Sequence, residues 1–95
     1  MAPIRRVTLD LLKPYDPSLV SLAQRVADVD SVAGVDVTLL ESDREVQNVK
    51  LTVEGDDVDF AAIERTVEAE AGSVHSVDQV ACGARVVEER PTPQD

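Results

Sequence analysis

The sequence predicts an α+β domain with the element order β-α-β-β-α-β. Three observations carry this reading. Val35, Val37 and Leu39 alternate with polar residues, and so do Val49, Leu51 and Val53. The polar stretch Ser42-Asp43-Arg44-Glu45 joins the two runs, so they form an antiparallel hairpin. Apolar stripes of helical period flank this hairpin on both sides, and a further alternating run lies outside each stripe.

Taken in order, Ile4 to Leu12 places Val7, Leu9 and Leu11 on one face and Arg6, Thr8 and Asp10 on the other, and Pro14 ends this strand. Asp16-Pro17 predicts a helix start, with Asp16 as cap and Pro17 where a missing N–H costs nothing. Leu19, Leu22, Ala23, Val26 and Val29 then follow helical spacing, and Gly34 turns the chain into the hairpin. Asp59 is the expected cap of a second helix carrying Phe60, Ile63, Val67 and Ala71, with Gly72 as its stop. Val74 to Cys82 is a strand whose imperfect alternation indicates a bulge or an edge. Ala84 to Val87 is a candidate for a short extra C-terminal strand.

Two split βαβ units in this order give a ferredoxin-like fold, a four-stranded antiparallel sheet with both helices on one face. Residues 1–88 are read as that single domain, and 89–95 as a disordered tail ending Pro91-Thr92-Pro93-Gln94-Asp95. The uncovered face carries Arg6, Thr8, Asp10, Asp36, Thr38, Lys50, Thr52 and Glu54, polar enough to meet water or a polar partner.

Composition narrows the function. Nine Lys and Arg against 19 Asp and Glu leave a net charge of −10. Clustered cations are what nucleic-acid binding requires, so that class is disfavoured. Tyr15 and Phe60 are the only aromatics, which argues against base stacking on the sheet. No apolar run reaches the length of a membrane span and no signal peptide is evident, so a cytoplasmic protein without a membrane partner is expected. Cys82 is the single cysteine, which excludes a disulfide framework. An acidic, Lys-poor surface suits a cytosol at very high salt, where counter-ions screen self-repulsion; an ordinary acidic domain is the alternative.

The chain also resembles a known family. The carrying residues are Arg5-Arg6-Val-Thr-Leu-Asp10-Leu-Leu-Lys13-Pro14, Pro17-Ser18, Gly34-Val-Asp-Val-Thr38-Leu, Asn48-Val-Lys50-Leu-Thr52-Val-Glu54-Gly55, Asp59-Phe60 and Ser73-Val-His75-Ser76-Val-Asp78. Together they resemble the archaeal family called domain of unknown function 211. The resemblance implies a ferredoxin-like fold, an archaeal source and symmetric oligomers, and it brings no activity. The acidic surface suggests a salt-loving member.

Glu41, Asp43 and Glu45, with Asn48 just beyond, are the densest oxygen cluster tied to defined structure. They form the candidate metal site, for Ca²⁺ or Mg²⁺, although their spacing is not that of an EF-hand. A solvated hairpin tip is the plainer reading. The acidic run Glu54, Asp56, Asp57 and Asp59 is a second candidate, but carboxylates favour helix N-termini in any case. His75 and Asp78 can share a transition metal only across a bulge. Asp10 and Glu54 can form a carboxylate pair on the open face, with Arg6 and Lys50 near enough to neutralise them. No nucleophile motif, phosphate loop or dinucleotide turn is present, so no catalytic or cofactor-binding residue is assigned. The leading expectation is a non-catalytic homo-oligomeric module binding a divalent cation or small metabolite. A purely structural or protein-interaction module and a small enzyme using the open-face carboxylates are the alternatives.

Overall fold

The computed structural model describes residues 1–88; the predicted tail lies outside them. Its elements are β1 (Ile4–Pro14), α1 (Leu19–Ala27), β2 (Gly34–Ser42), β3 (Val46–Glu54), α2 (Phe60–Ala69) and β4 (Ser73–Cys82). The strands form one antiparallel sheet in the order β2-β3-β1-β4. This is the ferredoxin-like βαββαβ architecture, with β2 and β4 as its edges. Ala84 to Val87 is bend and irregular backbone, not a further strand.

Period-two alternation delivers one face of each central strand to the core. Val7, Leu9 and Leu11 of β1 meet Val49, Leu51 and Val53 of β3 across the register, and all six are buried. Leu22 and Val26 of α1 and Ile63 and Val67 of α2 close over them, joined by Val58 from the loop before α2. Burying such side chains contributes roughly 1.5–3 kcal/mol each before chain entropy is subtracted. Gly55 lets the chain leaving β3 approach the α1–β2 connection: a Cβ there would collide with the Ser31 carbonyl oxygen.

The helix ends depart from the sequence reading in two places. Ser18, not Asp16, caps α1: its Oγ accepts from the Ser21 N–H at 3.1 Å. Of the polar residues around Pro17, Ser18 stands immediately before the first helical residue, where a cap must sit. Asp59 caps α2 as expected, accepting from the Ala62 N–H at 3.1 Å. At the other end of α2 the left-handed residue is Ala71 (φ 65°), not Gly72. Ala71 N–H donates to Glu68 O and Gly72 N–H to Val67 O, each at 3.0 Å, which is a Schellman closure with alanine in the position glycine usually holds.

Lys13 follows Val7, Leu9 and Leu11 on the core face and is only 2% exposed. Its Nζ donates to Pro14 O at 2.6 Å and to Gln47 Oε1 at 3.1 Å. Burial pushes its pKa below the ordinary lysine value, against the opposing pull of Asp16 and Glu70.

Candidate functional site

The β2–β3 turn is organised by one side chain. Asp43 Oδ1 accepts the N–H groups of Glu45 and Val46, each at 3.1 Å, while Asp43 N–H donates to Val46 O at 3.0 Å. An aspartate that binds its own downstream backbone in this way is a turn former. From the β1–α1 connection, Tyr15 Oη donates to the Asp43 carbonyl oxygen.

Two register shifts bring distant residues to this end of the open face. One falls between Leu39 and Glu41 of β2 and sets Glu41 opposite Asn48. The other falls between the Asp10–Ser76 and Leu11–Val74 pairs, leaving His75 as the extra residue of β4. Bulges of this kind re-aim side chains. The result is a recess of about 350 Å³ whose polar lining includes Asp10, Glu41, Asp43, Asn48 and His75, drawn from all four strands and the turn. Leu12 and Val46 supply apolar wall.

The lining presents acceptors. Asn48 Nδ2 donates to Asp10 Oδ1 and, at 3.1 Å, to Leu11 O, so its amide hydrogens are spent and its oxygen is left to accept. Asp43 uses one carboxylate oxygen in the turn and retains the other. Among the described residues, no Lys or Arg forms an ion pair with Asp10, Glu41 or Asp43. Oxygen acceptors without a paired cation suit a hard cation or a protonated amine. Among the described residues, however, no three His, Cys, Asp or Glu side chains gather closely enough to hold a metal ion within one chain.

The hairpin candidates are therefore divided. Glu41 and Asp43 line the recess; Glu45 does not, and contributes its backbone N–H to the turn. Asp10 and His75 join the recess from strands that sequence spacing gave no reason to connect with the hairpin. His75 lies there without Asp78, whose Oδ1 accepts from Ser76 Oγ at 2.7 Å.

The other carboxylates on this face are committed elsewhere. The Asp10–Glu54 pair does not form, because the register sets Asp10 opposite Lys50 and Glu54 opposite Arg6. Arg6 Nε meets Glu54 Oε2 at 2.6 Å, and Arg6 Nη2 meets Glu88 Oε1 at 2.9 Å. Hydrogen bonds to Glu88 and then to Glu54 raise the Arg6 pKa further above its ordinary value. Thr8 and Thr52 face each other at 3.4 Å alongside this cluster. In the acidic run after β3, Asp59 is a helix cap and exposed Asp56 lies 3.8 Å from Arg5. Cys82 is free and exposed at the end of β4.

Comparison with known proteins shows the family and adds no chemistry. A family model described as DUF211, uncharacterized ArCR, matches residues 5–95. The chain is 41% identical over 95 residues to the uncharacterized protein MJ0319 of the archaeon Methanocaldococcus jannaschii, covering 100% of this chain and 98% of that protein. With nearly its whole length matched, the chain belongs to the DUF211 family, the domain of unknown function 211.

Proposed function

We propose that the protein is a non-catalytic, homo-oligomeric module that holds a divalent cation, Ca²⁺ or Mg²⁺, or a small cationic metabolite at the hairpin end of its open sheet face. The observation carrying this reading is the recess itself, where Asp10, Glu41, Asp43, Asn48 and His75 converge and, among the described residues, no Lys or Arg is paired with the three carboxylates. Glu41 and Asp43 are the proposed ligands, with Asp10 beside them. Glu45, outside the recess lining, would serve only where a neighbouring subunit shares the ion.

A second copy is part of the proposal for two reasons. The described residues of one chain gather no complete metal set. Among the described residues the outer edges of β2 and β4 have no strand partner, and these strands expose apolar side chains, Leu39 and Leu40 on β2 and Val77 and Val80 on β4; such edges invite strand addition. The same edges support the second reading, a purely structural or protein-interaction module. The net charge of −10 supports a cytoplasmic, salt-loving setting.

Calorimetry with CaCl₂ and MgCl₂ in a high-KCl buffer tests the binding reading, using the native chain and the Glu41→Gln/Asp43→Asn double variant. Heats present in the native chain and lost in the variant are the expected result. Equal heats would leave only the structural module. Light scattering in molar KCl tests assembly: a mass of more than one chain is expected, and a monomer at micromolar concentration contradicts it.

A further inference from the structure

We infer that residues 83–88 form a strap that closes over the outer edge of β4 and is released by salt, so that ionic strength governs strand addition there by a second copy of the chain. This rests on the assembly reading above and adds the device that controls it.

The strap is tied at its two ends. Gly83 turns the chain out of β4 at φ 108°, and its N–H donates to Pro3 O at 2.9 Å. Arg5 holds the base: Nη1 donates to Ala84 O at 2.8 Å and to Gly83 O at 3.3 Å, while Nε donates to Gly55 O at 3.2 Å. Arg6 holds the tip: Nη2 and Nη1 donate to Glu88 Oε1 at 2.9 Å and Oε2 at 3.2 Å, the forked arrangement in which guanidinium and carboxylate fit best. Between these ties the strap stands off from the sheet, leaving a recess of about 520 Å³ lined by Gln79, Val80, Ala81, Cys82 and Val87. Gln79 to Cys82 are successive strand residues whose side chains alternate between the two faces, so the recess runs along the edge of β4 and not over one face. Val87 is its outer wall. Among the described residues no strand pairs with this edge, so the strap shields the edge without forming a ladder on it.

A closure of this kind is weak and sensitive to salt. The Glu88 side chain is 57% exposed, and exposed ion pairs contribute little. Screening shortens their reach from about 10 Å at 0.1 M salt to about 3 Å at 1 M. Salt therefore loosens the tip, while the neutral carbonyls bound by Arg5 keep the base in place. With the tip free, Gln79 to Cys82 stand uncovered next to the exposed Val77 and Val80. The charge points to a second copy as the occupant. Two chains of net charge −10 repel each other at low salt, and the salt that frees the strap also screens that repulsion. A basic partner would lose affinity under the same conditions.

Glu88→Gln unties the tip and keeps the side chain's shape. Glu64→Gln, at an exposed position on α2, removes the same charge away from the strap and serves as control. Sedimentation equilibrium over a concentration series, at low salt and in molar KCl, gives the association constant of each protein. Trypsin cleavage after Arg85, followed by mass spectrometry, reads the strap directly. At low salt Glu88→Gln is expected to associate roughly two- to five-fold more tightly than native protein, the worth of one exposed ion pair, and to be cleaved after Arg85 faster by a similar factor. Both differences should shrink in molar KCl, and Glu64→Gln should behave as native. Association of Glu88→Gln that equals native, an equal gain in Glu64→Gln, or unchanged cleavage after Arg85 overturns the strap and spares the assembly reading. Native protein and both variants monomeric in molar KCl would overturn the assembly reading, and the strap's role with it.

Discussion

The two ends of the open sheet face treat their carboxylates in opposite ways. At the Gly55 end, Arg6 reaches Glu54 and Glu88, and the three charges close on one another. At the hairpin end, Asp10 is met by the Asn48 amide and Asp43 by backbone N–H groups, and among the described residues no guanidinium or ammonium pairs with either. Both ends sit on the same strands over the same core. The difference teaches that an acidic surface is not uniform in meaning: paired carboxylates are part of the scaffold, while those held only by neutral donors keep the capacity to bind something else.

The largest expected effect lies beneath both ends. Leu51→Ala should cost about 2–5 kcal/mol, because this side chain is fully buried between the sheet and the helices. Denaturant unfolding checks this, and a loss under 1 kcal/mol would mean that the layer supporting the comparison is not close-packed. Ala71→Gly should move stability the other way, by about 0.5–1 kcal/mol, since glycine relieves the left-handed strain at the end of α2 at some entropic cost. Neither change should alter Ca²⁺ binding by the folded protein, which calorimetry can confirm.

Smaller substitutions set the two ends directly against each other. Arg6→Gln should lower the melting temperature at low salt, and the deficit should shrink in molar KCl. Glu41→Gln should raise it at low salt, by an amount worth about 0.5 kcal/mol at most, by relieving repulsion. Shifts of the same sign would erase the distinction between the ends. For the native chain, with its net charge of −10, the melting temperature should climb across a KCl series.

Lys13 gives a pH-dependent expectation of known sign. Its folded pKa lies below the ordinary 10.5, so between the two values the unfolded chain binds more protons. The penalty for burying the ammonium is present in full below the folded pKa and is relieved as pH rises toward 10.5. Lys13→Met should abolish this rise, which melts between pH 8 and 10.5 would reveal.

Much of the fold was legible because alternation and helical period are local signals. Val49, Leu51 and Val53 reveal a strand face without reference to any other segment, and Asp59 reveals a cap by standing before Phe60. Glu41 and Asp43 were legible as site candidates for the same reason, being close in sequence. Asp10 and His75 were not legible as their companions. They reach the recess through strand order and through a register shift in β4, and alternation assigns faces without locating bulges. Glu45 stands outside the recess lining because Asp43 turns the chain there, so that Glu45 contributes its backbone N–H. Ala71 was missed because the neighbouring Gly72 offers the stronger local signal for a left-handed residue.

The central claim, that the hairpin end is the binding end, is tested most directly by Tb³⁺ luminescence excited through tyrosine. Tyr15 is the single tyrosine, the chain has no tryptophan, and the Tyr15 hydroxyl bonds to Asp43. Tb³⁺ in the recess should therefore give sensitised emission that excess Ca²⁺ displaces and that Glu41→Gln/Asp43→Asn abolishes. Absent emission, or emission that survives in the double variant, would contradict the claim.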